Sequence, residues 1–414
     1  MDERRAIAAI ALVFFQLVSS CTIQPDVSRM ITPSPTHQDD NQISGSASPS
    51  ATRTPLPSSE TSTLQQTAAL TEPAVQPTAM PAAVSPTQTV EVTFVPIIGG
   101  ADKVAFINLD EIWMANLDGS QLTQLTEDGS VKSALQWSPD NQGIVYISGT
   151  CAKKVNLDTL HVDNLACFEQ AKHLDSFQFS PDGERVAVSL DGQLYVVPYK
   201  QDTFQQVQKA EDLLQIADCP SLAPYKHRQS MITVSRTDWS DDGHRLTIIR
   251  KGYDVDHQVE MVQVIDIDRC VMPLPRIDEF PATRFTMDGY EKYPIIQDFA
   301  WDGKDLFALT SFKRNDGFGD LWIYNTAEHQ AFKVNPIQGK CCYRDPVFSP
   351  DGEFLAFIFR DVQQVPLPAA IMYYIPYGAL ETSMVFPEIP FPADFFSELR
   401  AKPEPILHPA GGSE

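Results

Sequence analysis

Charged residues recur a few positions ahead of an aromatic residue along this 414-residue chain: Asp175 before Phe179, Arg236 and Asp238 before Trp239, Asp298 before Trp301, and Arg344 with Asp345 before Phe348. If the chain folds these segments into one ring, the acids and arginines would converge on a concave site able to bind a ligand. Two such carboxylates in an open pocket would also suit glycosidic hydrolysis. Pairing among themselves, with strand ends capped by the remainder, is the structural alternative. Other chemistry is sparse. There is no G-x-S-x-G elbow, no H-E-x-x-H and no phosphate-cradling glycine loop. The eight histidines are scattered, His227, His244 and His257 being the closest group. Asn315–Asp320 reads N-D-G-F-G-D, which lacks the alternating acids and the bidentate Glu of a calcium loop and reads as a turn. Neither a metal nor a cofactor is expected.

The elements that must position these residues are repeats. Phe179–Ser189 reads F-S-P-D-G-E-R-V-A-V-S, with variants starting at Trp137, Trp239, Trp301 and Phe348. Each is an aromatic residue, a polar turn and an alternating apolar run, the pattern of two antiparallel strands joined by a tight turn. Turn chemistry accounts for the motif: Pro presets φ, Asp bonds the backbone ahead of it, and Gly takes the left-handed position. The Ser is therefore no nucleophile and the Asp no base, and the aromatic is expected to pack between neighbouring sheets. The aromatics lie 42, 60, 62 and 47 residues apart. Four short strands with loops need about 40 to 50 residues, so the longer gaps hold insertions.

Radial repetition of such sheets gives an all-β propeller. The repeats predict six four-stranded antiparallel blades, or seven if residues 208–234 hide another. The N-terminal unit lacks its first strand. Pro403–Ala410, with His408-Pro409 where aromatic-Ser-Pro would stand, is expected to supply it from the far end of the chain. These units resemble the Pro-Asp type of β-propeller repeat, a relative of the WD repeat found in TolB-like propellers of bacterial envelope proteins. The likeness runs from about Asp102 to Ala410. It is strongest at Trp137–Asp140, Phe179–Gly183 and Phe348–Gly352; Asp241 replaces Pro after Trp239, and the turn after Trp301 is shortened. The resemblance implies a non-enzymatic scaffold that binds proteins or small ligands through loops at one end of the channel.

Residues 1–21 read as a lipoprotein signal peptide. Arg4 and Arg5 precede an apolar run, Ala6–Val18, too short to span a bilayer permanently. The run ends in V-S-S-C, which resembles a bacterial lipobox and implies lipidation of Cys21. Residues 22–97 are rich in Thr, Ser, Pro, Ala and Gln and nearly free of aromatics, and so are expected to form a disordered tether. Residues 98–414 are assigned to the propeller. The six other cysteines suggest disulfides in an exported chain. Cys151–Cys167 is expected across strands of blade two and Cys219–Cys270 between an insertion and blade four, with adjacent Cys341 and Cys342 bonded to each other or elsewhere.

A net charge of −23 argues against nucleic acid, which needs clustered Lys and Arg. A propeller-capped serine peptidase would need a hydrolase domain beside the repeats, and the few residues after Ala410 do not supply one. The reading is thus a monomeric lipoprotein, anchored to the membrane or cell surface outside the cytoplasm, whose propeller binds an envelope or extracellular protein or peptide. Tyr225–Arg228 and Arg284–Tyr293, in the long insertions, are candidate partner surfaces. The competing readings are a lyase or glycan-acting enzyme using mouth Asp and Arg residues, and a structural spacer in the envelope.

Overall fold

The computed structural model describes residues 95–217, 226–227, 230–231, 233–254, 257–269, 276–280, 296–311, 317–380, 388–398 and 402–410. The signal peptide, nearly all of the tether, Cys219, Cys270 and Arg284–Tyr293 lie outside them.

The strands follow the repeats. The N-terminal unit contributes β1 (Ala101–Asn108), β2 (Glu111–Asn116) and β3 (Thr123–Gln124). Blade two is β4 (Ser133–Trp137), β5 (Gly143–Ser148), β6 (Cys151–Asn156) and β7 (Val162–Cys167). Blade three is β8 (Leu174–Phe179), β9 (Arg185–Leu190) and β10 (Gln193–Pro198), followed by helices α1 (Gln201–Phe204) and α2 (Ala210–Ile216) and a small hairpin, β11 (Lys226–His227) with β12 (Ser230–Met231). Blade four is β13 (Thr233–Trp239), β14 (Arg245–Asp254), β15 (His257–Asp266) and β16 (Arg276–Phe280). Blade five is β17 (Ile296–Trp301), β18 (Leu306–Ser311), β19 (Asp320–Asn325) and β20 (Gln330–Lys333). Blade six is β21 (Tyr343–Phe348), β22 (Phe354–Phe359) and β23 (Ile371–Pro376).

The last strand, β24 (Ile406–Pro409), returns to pair with β1 and completes blade one in the order β24-β1-β2-β3. Leu407 faces Val104 as Trp137 faces Ile144, so Leu407 takes the aromatic position, His408 the Ser position and Pro409 the Pro position. His408 repays the substitution locally. Its ring packs edge-on against Trp137, and its Nδ1 lies 2.6 Å from Asp102 Oδ1.

Six blades closed in a ring follow from the core itself. The buried apolar residues fall into six clusters, one for each junction between adjacent blades. Five join successive blades. The sixth closes the ring, packing Val104 and Phe106 of blade one against Ala356, Ile358 and Met372 of blade six. Second strands such as β9 are buried along nearly their whole length, because neighbours cover both faces. Their Val- and Ala-rich sequence is what a doubly covered strand requires. Outer strands β3 and β20 are largely exposed. Between β10 and β13 the described residues form two helices and a two-stranded hairpin and no further blade.

Blades three and six depart from four regular strands. After β10 the spacing of Phe204, Val207 and Leu213 suits helices rather than alternation, and all three are buried in the junction with blade two. Asp202 of α1 and Glu211 and Asp212 of α2 occupy first helical turns, where acids are favoured. In blade six a bridge between Tyr373 and Glu388 is what the described residues show of a fourth strand.

The Ser-Pro-Asp-Gly turns behave as turn chemistry demands. Ser349 Oγ donates to Asp351 Oδ1 at 2.7 Å and accepts the Phe354 N–H at 2.9 Å, while Asp351 accepts the Glu353 N–H. Gly352 has φ +78°. Ser180 and Ser240 repeat the arrangement. The aromatics pack across junctions: Trp239 Nε1 donates to Gln178 O, and Arg185 and Arg245 lie over the rings of Trp239 and Trp301.

Two of the expected disulfides are present. Cys151–Cys167 joins directly opposed residues of β6 and β7, and Cys341–Cys342 form a vicinal pair entering β21.

Candidate functional site

Each innermost strand runs from one end of the channel, the mouth, to the Ser-Pro-Asp-Gly turn at the other. In blades two to six its register slips near the start: around Ala134, Asp175, Ser235, Gln297 and Asp345. A bulge inserts an extra residue, bends the strand and re-aims a side chain. Here a local device of the repeat recurs at the channel mouth. Ala134, Asp345 and Glu404 stand three residues before Trp137, Phe348 and Leu407, and all have positive φ (+55°, +48° and +43°). Serving the same offset in blades three to five are Ser176, Arg236 and Asp298.

This register brings Arg236, Asp298, Arg344 and Asp345 together. Arg236 Nη1 donates to Asp298 Oδ1 at 2.8 Å, and its guanidinium lies 4.4 Å from the Phe299 ring centroid. Arg344 Nε donates to Asp345 Oδ2 at 2.7 Å and its guanidinium lies over Phe318. The two carboxyl groups lie close enough for each to shift the other's acidity. Burial pushes Asp345 up, and the adjacent Asp298 charge adds to it. Burial also works against ionised Asp298. Lys402, the neighbouring Asp345, Arg236 and Arg344 together outweigh it and hold Asp298 at about 2.

Two other candidates go elsewhere. Asp175 is turned to its own blade, where Oδ2 accepts the Gly192 N–H at 2.9 Å and ties down the turn between β9 and β10. Asp238 lies two residues deeper than Arg236 on β13, its Oδ1 accepting the Trp239 N–H. Burial raises it to about 6 against the pull of Arg236. The calcium-like stretch ends in a structural acid: Asp320 Oδ1 accepts from Asn335 Nδ2, whose Oδ1 accepts the Leu321 N–H. Among the described residues no group of three His, Cys, Asp or Glu side chains is arranged to hold a metal.

The sequence reading missed two members of the cluster, Lys402 and Glu404. Lys402 Nζ reaches Asp298 Oδ2 at 3.4 Å, and Glu404 Oε2 accepts the Ala134 N–H at 2.5 Å. Burial raises the Glu404 carboxyl, with Arg236 opposing and Asp298 adding to it. The signal was available, because Glu404 precedes Leu407 by the same interval that separates Asp345 from Phe348. Finding it required aligning the C-terminal strand on Leu407 instead of His408.

The sheet order, the six junction clusters and the closing strand decide the architecture. The chain is a six-bladed β-propeller, similar in fold to TolB. TolB from Acinetobacter baumannii matches it at a TM-score of 0.44 and 15% identity, over 67% of this chain and 62% of that one, so the chain spans less than two thirds of that protein. A putative TolB from Agrobacterium tumefaciens gives 0.43 and 14%, over 70% of this chain and 88% of the other. The β-propeller domain of Myceliophteria thermophila Cps50 (Swd1) gives 0.42 and 10%, over 64% and 93%. No known protein family matches the sequence, and no curated protein does.

At the mouth end, the connections between second and third strands are two-residue turns in blades one, two and three and lengthen in blades five and six. They run from the two-residue Gly149–Thr150 turn to the β22–β23 loop, whose tip at Val365 is 96% exposed. Asp361 anchors that loop by accepting the Gln363 N–H, Gln364 Nε2 and Lys340 Nζ.

Proposed function

We propose that this chain is an extracytoplasmic lipoprotein, anchored through Cys21, whose propeller is a scaffold for a protein or peptide partner docking at the mouth end. The observation that carries the reading is how the mouth acids are held: Asp298 is paired with Arg236 and Lys402, and Asp345 with Arg344. A glycosidase pair must stand about 5 Å or more apart, with room for sugar and water. Carboxyls tied down by arginine and lysine suit a rigid recognition surface better. Variable connections and an exposed apolar loop tip at the same end supply recognition without chemistry. The Cys151–Cys167 bond accords with an oxidising compartment, and the V-S-S-C sequence supports the anchor.

The test is capture of the intact chain from its own envelope, with metabolic fatty-acid labelling in parallel. The expected result is a labelled, membrane-bound protein that recovers one specific partner, and an unlabelled, released protein on Cys21→Ser. Labelling without a specific partner would favour the spacer reading. Turnover of an envelope glycan, lost on Asp298→Asn, would favour the enzyme.

A further inference from the structure

The segment Lys402–Pro405 does something that strand pairing alone does not require. It leads into β24, so it belongs to blade one, yet it holds three separate blades. Pro403 O accepts the Ile107 N–H at 2.7 Å within blade one. Glu404 accepts the Ala134 N–H of blade two. Lys402 reaches across adjacent blade six to Asp298 of blade five. The Lys402 side chain is 48% exposed while Asp298 is 8% exposed, so the pair joins a half-exposed lysine to a buried acid. Pro403 and Pro405 are both buried and flank Glu404, fixing φ on either side of a residue that itself sits at φ +43°. A left-handed conformation at a non-glycine residue is unfavourable unless local contacts hold it. Here the bond to Ala134 does.

We infer that Lys402–Pro405 is a latch, in which the Lys402–Asp298 ion pair locks the C-terminal segment across the channel mouth and couples ring closure to access at that end. The inference holds whatever the partner is, because it concerns only contacts inside the chain. Since the Lys402 side chain faces solvent, the lock is weak enough to open without unfolding the blades. Half-exposed ion pairs are worth little and are screened by salt. Opening would uncover the Asp298–Asp345 pair and leave blade one held by its β1–β2–β3 sheet.

Two backbone amides report on the latch directly, because both donate into it: Ile107 and Ala134. Hydrogen exchange of the full chain should be followed in wild type, Lys402→Met and Lys402→Arg. Lys402→Met keeps the apolar stem and removes the charge. It should speed exchange at Ile107 and Ala134 by about tenfold while β9, remote from the latch, keeps its rate. Lys402→Arg should restore wild-type exchange. Unchanged rates at both reporters in Lys402→Met would overturn the latch, and so would equal acceleration in every blade, which signals general destabilisation. If Lys402→Met does not accumulate, wild type in rising salt serves instead: selective acceleration at the two reporters supports the latch, and indifference to salt refutes it.

Discussion

The two ends of the propeller are built on opposite principles. At the turn end the innermost strand of each of blades two, three, four and six meets its neighbour through a Ser-x-Asp-Gly or Ser-Pro-Asp-Asn turn, with the same hydroxyl bridge each time. At the mouth the repeat relaxes: bulges, charges and both described disulfides lie at that end of the strands. The difference teaches where selection for shape ends. One end repeats because turn geometry admits few residues, and the other varies because nothing in blade packing dictates it.

The largest expected effect comes from a mouth-end ion cage. Lys132, its side chain wholly buried, donates to Glu111 Oε2 at 3.0 Å, to Asp128 Oδ1 at 2.5 Å and to the carbonyls of Asp110 and Ser130. Lys132→Met leaves a buried carboxylate uncompensated and should cost roughly 3–5 kcal/mol in chemical denaturation. A loss below about 1 kcal/mol would mean that this end does not depend on its cage. Replacing Cys151 and Cys167 together by serine should cost about 3 kcal/mol, since the bond closes a loop of sequence separation 16.

Turn-end changes should be smaller and alike from blade to blade. Gly183 has φ +70°, and an added Cβ would approach Pro139 Cβ to 2.8 Å, so Gly183→Ala should cost about 1–2 kcal/mol. Ser349→Ala removes the hydroxyl bridge for about 1 kcal/mol. Unequal losses for equivalent serines in blades three and six would break the claim that the turn end is uniform.

Acidity separates two acids of the innermost strands by sign, Asp298 at the mouth and Asp238 near the turn end. Asp298, held at about 2, contributes stability that is present above the unfolded carboxylate range and lost as pH falls towards 2. Asp238, raised to about 6, binds its proton more tightly in the folded state, so its contribution is present below that range and lost as pH rises through 6. Asp238→Asn should therefore flatten the fall in melting temperature between pH 4 and 7, whereas Asp298→Asn should not. The smallest stability effect belongs to Val365→Ser at the exposed tip, within about 0.5 kcal/mol, with loss of partner capture instead.

Most of the frame was legible in the sequence, because turn residues and alternating strands announce themselves over a few positions. Phe179–Ser189 was enough to define a hairpin, and repetition defined the ring. Two features resisted. The helices after Pro198 stand where a fourth strand was expected, and a short apolar spacing there distinguishes the two weakly. The mouth cluster resisted more, because it joins Lys402 to Asp298 through ring closure, and no local pattern reports a contact 104 positions apart. Asp175 shows the converse. It occupies the same sequence context as its counterparts, yet the bulge of β8 turns it towards Gly192.

The central claim is that the mouth end, and not the turn end, meets the partner. Photo-crosslinking residues should be placed singly at Val365, on the mouth, and at Glu353, beside a turn, in the intact chain within its own envelope. The account predicts one specific adduct from Val365 and none from Glu353. A specific adduct from Glu353 with none from Val365 would contradict it.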